Sequence, residues 1–441
     1  MTFKTTLIAT AVLLACQTGH AQTAKEVAAE MRQMREELRQ LRAELDGLKK
    51  QPEATATTAT ATATAATSAP NATSAPAPYA SVAPQREAEA APNAVSLFGY
   101  GELNFTRPKN NIAASEATAR RGVFGIGYRF NERTRFVAEL EVENAVASSG
   151  DSGEVAMEQL YVEHDIDDGL SAKMGLFLLP VGYMNESHEP TRYYGVTRNL
   201  VETAIIPSTW REMGVGFRGV RDSGLRWDAG VVTSFDLTKW PSDSTETKES
   251  PLGAIHQEGQ KAKAASLAYY GALNFDGIPG FNVGGSVFHG GIGQKQPDIA
   301  SPNASVTLAE LHTKWQVGAW DLSALAAEGR FHDVSGFNTA NSAGNPVPDQ
   351  FRGWYAQAAY RLWRKGDYSL VPFARYERVN TAVNYSSVFP GQVVSTGPDN
   401  KVWTVGASYY LHPQVVLKMD VQKYQNDSAL DRFNMGVGFH Y

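Results

Sequence analysis

Between Val181 and Trp210 the chain gathers Glu186, His188, Glu189, Arg192, Tyr193, Tyr194, Arg198 and Glu202, and Arg211 and Glu212 follow directly. Charged side chains ringing a narrow passage select ions by sign, arginine and lysine favouring anions and carboxylates favouring cations. Here the signs are mixed. Other patterns that could carry chemistry lack the setting they need. Gly214-Val-Gly-Phe-Arg-Gly219 has the spacing of a dinucleotide fingerprint, but no helix follows it and no βαβ unit surrounds it. His188-Glu189 has no second ligand at helical spacing, so no metal site is expected. Serine, histidine and aspartate all occur, none in a nucleophile-elbow context. A triad assembled across strands is the one arrangement that such spacing does not reveal. No catalytic residue, cofactor or metal is expected, and the chain is not read as an enzyme.

For such charges to face one passage, regular elements must aim them. After Asn93 the chain breaks into short period-two segments separated by Gly, Asn, Asp, Pro and Ser, which is the signature of strands and turns. Sixteen strands are expected. They run near 95–106, 119–130, 134–145, 155–166, 170–178, 211–220, 225–233 and 265–275, then 281–289, 306–316, 320–331, 353–363, 368–378, 401–411, 415–423 and 433–441. Every second connection is a tight turn, and most of those between are long. That parity belongs to a transmembrane antiparallel β-barrel, whose strands are even in number. Closure also removes the unpaired edges that a bilayer does not tolerate.

The strand faces divide in the same way. Phe433, Met435, Val437, Phe439 and Tyr441 share one face of the last strand, and Asn434, Gly436, Gly438 and His440 the other; Phe136, Ala138, Leu140 and Val142 oppose Arg135, Glu139, Glu141 and Glu143. Trp227, Tyr269, Trp315, Trp320, Trp354, Tyr360, Trp363, Trp403 and Tyr409 fall mostly on the apolar face, many near strand ends, as a membrane-boundary girdle requires. By alternation a basic track of Arg129, Arg135, Lys173, Arg218, Arg226, Arg361, Arg375 and Lys418 faces the lumen, together with Arg121, Arg133 and Lys314. Glu139, Glu141, Glu143, Glu163, Asp228, Glu310, Asp321 and Asp420 share that face. Two readings stay open. The cations form an anion track, or they pair with the acids and shape a water-filled lumen that selects nothing.

Ahead of the barrel (93–441) lie three segments of different character. Residues 1–21 read as a secretory signal, with Lys4, an apolar core from Thr6 to Ala15 and a small-residue site at Gly19-His20-Ala21. Leu13-Leu14-Ala15-Cys16 offers a rival lipoprotein site, with Cys16 as the lipid-bearing residue. Over 22–50, Val27, Met31, Met34, Leu38, Leu41, Leu45 and Leu48 form a heptad seam, a short α-helical coiled coil or a single amphipathic helix. Residues 51–92 collapse into Ala, Thr, Ser and Pro and make a disordered linker. The chain of 441 residues carries a net charge of -6, so nucleic acid is not an expected partner.

The C-terminal Val437, Phe439 and Tyr441 look like the signal by which bacterial outer-membrane barrels are recognised for insertion. Gly175-Leu-Phe-Leu-Leu-Pro-Val-Gly-Tyr-Met-Asn-Glu186, then a long loop, then Arg211-Glu-Met-Gly-Val-Gly-Phe-Arg218, resembles the phosphate-selective (porin O/P) family of Gram-negative outer-membrane porins. The resemblance implies that the third long loop, Val181 to Trp210, folds inward and narrows the channel. Its constriction would then be Glu186, Glu189, Arg192, Tyr193, Arg198 and Arg211. The loop supplies no lysine, whereas a phosphate channel should gather lysines there. The expected protein is a homotrimer in outer-membrane lipid that passes small hydrophilic solutes or anions, its N-terminal arm in the periplasm within reach of peptidoglycan. The alternative is a structural protein that tethers the barrel to the cell wall through its coiled coil.

Overall fold

The computed structural model describes residues 93–148, 153–341, 344–385, 388, 394 and 399–441. The expected signal segment, Cys16, coiled coil and linker lie outside the described residues.

Seventeen strand segments join in one sheet. They are β1 (Val95–Pro108), β2 (Glu116–Arg129), β3 (Thr134–Glu143), β4 (Val155–Asp167), β5 (Leu170–Leu178), β6 (Arg211–Val220), β7 (Leu225–Val232), β8 (Ala268–Ile278) and β9 (Phe281–Gly291). The rest are β10 (Ser305–Val317), β11 (Trp320–His332), β12 (Gln350–Tyr360), β13 (Trp363–Lys365), β14 (Tyr368–Asn384), β15 (Asp399–His412), β16 (Val415–Tyr424) and β17 (Arg432–His440). β12 and the three-residue β13 both pair with β14, so they are one barrel strand interrupted at Arg361-Leu362. That leaves sixteen. β1 pairs antiparallel with β17, Tyr100 facing His440. Such a closure requires an even number, since an up-and-down meander of odd count would bring its first and last strands together parallel.

The connections alternate as the sequence expects. Tight turns follow β2, β4, β6, β8, β10, β13 and β15, and Gly318 and Gly366 take φ of +59° in two of them, a conformation that glycine adopts without strain. Several strands outrun their expected bounds at the long-loop end: β2 begins at Glu116 rather than Ala119, and β14 continues to Asn384 rather than Arg378. Backbone pairing continues there after the apolar alternation has stopped, which is why side-chain pattern missed it.

The wall is apolar outside and polar inside. Leu97 and Leu311 are each 72% exposed, whereas Glu310 is 3% and Arg375 2%. This inversion, which no soluble sandwich shows, is the arrangement of a barrel solvated by lipid. Two aromatic levels mark the outer wall over β8 to β15. Trp315, Trp320, Tyr360, Trp363, Tyr368 and Tyr409 lie towards the tight-turn end; Tyr269, Trp354, Tyr376 and Trp403 lie towards the long-loop end. Rings of the second set meet at 5.5 Å (Trp354 and Tyr376) and 4.9 Å (Tyr376 and Trp403). Six residues separate Trp354 from Tyr360, about 20 Å of strand at roughly 3.3 Å per residue.

One sector departs from a polar inner face. On the long-loop half of β8 to β12, Ala268, Tyr270, Phe288, Val306, Leu308, Leu325, Phe331, Phe351 and Tyr355 point inward and are buried. The segments 179–210, 233–267, 292–304, 333–341 and 344–349 fold into the barrel and pack on them, with Leu179, Val201, Ile205, Trp210, Phe235, Trp240, Leu252, Ile292 and Val347. Trp210 meets Phe288 at 4.6 Å and Phe235 at 5.3 Å. A core therefore fills one side of the lumen, and the charged side chains line the rest.

Candidate functional site: the loop across the lumen

The long segment between β5 and β6 crosses the barrel. Its neck is fastened by Asn185, whose amide donates to the carbonyls of Leu179 (2.8 Å) and Trp210 (2.9 Å) and whose oxygen accepts from the Trp210 N–H (2.7 Å). Glu202 makes the second clamp. One carboxylate oxygen accepts from the Tyr183 and Met184 N–H groups, both at 2.6 Å, and the other from the Asn199 amide (2.7 Å) and the Tyr355 hydroxyl (3.1 Å). Burial pushes the Glu202 carboxyl up, and the hydrogen bonds from Asn199 and the backbone only partly oppose it. A π-helical turn at Val201–Ile205 then lays Val201 and Ile205 over Gly353 on β12.

A Cβ at Gly353 would stand 3.1 Å from Ile205 Cγ1 and 3.3 Å from Val201 Cγ2. Gly353→Val should overpack this seat by about 1–3 kcal/mol and lift the turn. The folded band should then convert to its unfolded mobility at a lower temperature on gels of heated samples. An unchanged conversion temperature would show that the seat is not tight.

The far arm reaches β1, β11 and β14 to β17, away from β5 and β6. Leu200 N–H donates to Glu377 (2.6 Å) and Val196 N–H to Asp420 (2.6 Å); Lys418 donates to the Gly195 carbonyl (2.9 Å) and sits 3.5 Å over the Tyr193 ring. Tyr193 donates to Glu102 (3.0 Å), Tyr194 to Asp321 (2.9 Å) and Ser408 to the Tyr194 carbonyl (2.8 Å). Thr191 meets His440 at 2.6 Å. A segment held from both sides of the lumen is a fixed partition rather than a free lid.

The six expected constriction residues separate. Glu189, Glu186 and Arg192 are half-buried, with side-chain exposures of 34%, 21% and 19%, Arg192 lying 4.0 Å from Glu189. Tyr193 and Arg198 are buried, Arg198 against Ser208 and the His188 carbonyl. Arg211 stands apart. As the first residue of β6 it pairs with Glu258 of the next long segment at 2.9 Å, away from the other five.

The basic track does reach the inner face, but its charges are mostly matched. Arg218 pairs with Asp228 (2.5 Å) and Glu186 (2.7 Å), Lys173 with Glu186 (3.6 Å), Arg226 with Asp228 (3.7 Å), Arg135 with Glu163 (2.8 Å) and Asp165 (3.1 Å), and Arg375 with Glu377 (2.8 Å). Burial would raise the Glu186 carboxyl, but the Arg218 and Lys173 cations outweigh it and hold it at about 2. Arg129 sits at the tight-turn rim, donating to the Glu132 carbonyl (3.0 Å), and Arg361 lies at the break between β12 and β13.

A further set gathers where the loop faces β1 to β4. Arg121 lies 3.4 Å from Glu102 and 3.3 Å from Glu141 and Glu143; His188 Nε2 lies 2.9 Å from Glu158; Gln159 donates to Glu139 at 2.7 Å. Burial lowers the His188 imidazole, but Glu158 more than compensates and raises it above its ordinary value. Glu102, Glu139, Glu141, Glu143, Glu158 and Glu189 set six carboxylates against Arg121, Arg192, Arg198 and the His188 imidazole, with Lys418 nearby over Tyr193. The Tyr100 hydroxyl and Arg198 Nε are buried here without a hydrogen-bond partner among the described residues. Sequence reading missed Glu102 and Glu158. Register shifts at Glu102/Leu103 and at Glu139/Leu140 interrupt the alternation that would have placed them inside.

No family model matches the chain. An uncharacterized protein of Aquifex aeolicus (strain VF5) is 31% identical over 355 residues, covering 78% of this chain and 79% of that protein. Among solved structures, OmpF of Salmonella typhi, in complex with daunomycin, superposes with a TM-score of 0.53 at 13% identity, over 79% of this chain and 98% of that one. DcaP of Acinetobacter baumannii, an outer-membrane channel, does so with 0.51 at 11% identity, again over 79% and 98%. Likeness at these identities is one of fold. The chain has the porin fold, and it belongs to one family with the Aquifex aeolicus protein.

Proposed function

We propose that the chain is an outer-membrane porin of a Gram-negative bacterium, through which small hydrophilic solutes diffuse passively. The observation that carries this reading is the sixteen-strand wall, apolar outside and charged inside, divided by a loop pinned across its lumen. Liposome swelling with sugars of graded size tests it. Uptake should fall steadily with solute size and not saturate with concentration; a saturating preference for one solute would replace diffusion by specific transport.

The same residues bear on ion preference. A phosphate track needs positive charge in excess of its carboxylates, and here Arg218, Arg135 and Arg375 are matched by Asp228, Glu163 and Glu377. The surplus of carboxylates beside the loop favours cations, as acidic rings do. The proposed channel is therefore weakly cation-preferring, and its likeness to phosphate-selective porins is one of architecture.

A homotrimer is the assembly this wall favours. The outward tryptophans sit on β7, β10 to β13 and β15, whereas Met157, Met174, Met213, Met419 and Met435, all exposed, sit on β4, β5, β6, β16 and β17. Tryptophan marks the lipid boundary, and methionine is enriched where proteins meet. Subunit contacts on the methionine side leave β7 to β15 to the lipid. β1 enters from the tight-turn end, which supports reading that end of the barrel as the periplasmic one.

A further inference from the structure

One charged set has no part in the lumen. At the long-loop ends of β11, β12, β14 and β15, Arg330, Arg352, Arg378 and Lys401 lie on the outer wall beside Glu328 and Asp399. Arg378 is held by Asp399 through two bonds of 2.8 Å and Arg330 by Glu328 at 2.7 Å; Arg352, exposed, stands in register opposite Glu328. Four cations against two carboxylates leave positive charge on a lipid-facing wall. The level is that of Trp354, Tyr376 and Trp403, the membrane boundary, where basic side chains meet lipid phosphates.

A groove of about 1230 Å³ on the same outer wall ends at this cluster. Its floor follows one row of paired residues across the strands, Ala229, Gly271, Val287 and Ala309, and then reaches Glu328 and Arg352. The neighbouring row carries Trp227, Leu273 and Leu311 and forms the raised edge. Small residues beside large ones hollow the wall, and basic groups close the upper end.

We propose that this groove binds a phosphorylated, multiply acylated glycolipid of the outer leaflet, with phosphates on Arg330, Arg352 and Arg378 and one acyl chain against Gly271 and Ala309. The proposal rests on the outer-membrane reading above. Arginine presents paired donors that fit phosphate oxygens. An excess of positive charge spread over four strands suits a headgroup with more than one phosphate better than a phospholipid with one. The groove also lies within the tryptophan sector, on the side facing lipid rather than another copy.

The test uses the full chain, purified in detergent and titrated with bisphosphorylated lipid A, its dephosphorylated form, or phosphatidylglycerol, with bound lipid counted by native mass spectrometry. Bisphosphorylated lipid A should bind saturably and the other two about tenfold or more weakly. The combined variant Arg330→Gln, Arg352→Gln and Arg378→Gln should lose the same factor. Gly271→Leu should weaken binding too, because a Cβ there meets only the Asp228 carbonyl oxygen at 4.0 Å and the side chain fills the groove without pressing on the wall. Equal binding of the dephosphorylated lipid, or of phosphatidylglycerol, would overturn the proposal. Disulfide-linked copies from Ala309→Cys would overturn it as well, by making the groove a subunit contact. Both groove variants should conduct as the parent does, so failure here is distinct from failure of the channel reading.

Discussion

Glu202→Ala should open the channel: single-channel conductance rises several-fold, its noise increases, and sugars excluded by the parent protein enter liposomes. Glu202 joins the entry of the crossing loop, at Tyr183 and Met184, to its π-helical turn and to Tyr355 on the wall. Truncation leaves two backbone N–H groups, an amide and a hydroxyl without their acceptor. A buried group left unsatisfied costs about 1–3 kcal/mol, so the loop loses several kcal/mol of attachment on that side. The strand ladder does not pass through Glu202, and the barrel should still fold. Glu202→Gln keeps an acceptor for the N–H groups and should fall between the two. Unchanged conductance in the alanine variant would mean that the far arm, through Asp420, Glu377 and Lys418, holds the loop alone.

The second large effect concerns ion sign. In a potassium chloride gradient the parent protein should give a cation-biased reversal potential, and replacing Glu139, Glu141 and Glu158 together by glutamine should bring it to neutrality or beyond. A unit charge 10 Å from the ion path contributes about 0.4 kcal/mol in water and about 1.7 kcal/mol at an effective dielectric of 20. Glu158 is buried on His188 and Glu141 on Arg121, so the water-like value is the applicable one. The three substitutions together change the permeability ratio by at most roughly tenfold at low salt, less as screening grows. Arg192→Ala with Arg198→Ala should move the potential the other way, further towards cations. If the glutamine variant keeps the parent's ratio, these carboxylates are neutralised by Arg121 and His188, and the lumen does not sort ions there.

Much of the fold was legible because two signals in a barrel are local. Period-two alternation marks a strand, as in Arg135 to Glu143, and the tight turns at Gly318 and Gly366 need only their own glycines. The inward loop was approached through resemblance and turn parity together. What sequence could not give was pairing across the ring. Arg218 meets Glu186 and Asp228, Tyr194 meets Asp321, and Arg211 leaves the site for Glu258. Such partners are fixed by closure and by where the loop lands. The inner apolar sector was hidden for a different reason. Near Phe351 and Tyr355 the outward neighbour Trp354 is apolar as well, so both faces of the strand read alike, and only the infolded loops make the inner one a core.

The most direct test of the channel reading is single-channel recording of the full chain in a planar bilayer. Stepwise current increments, each resolving into three levels and growing in proportion to salt concentration, are the expected result. Protein that inserts with the heat-sensitive mobility of a folded barrel yet carries no current would contradict it, and would leave a sealed wall whose crossing loop is a plug.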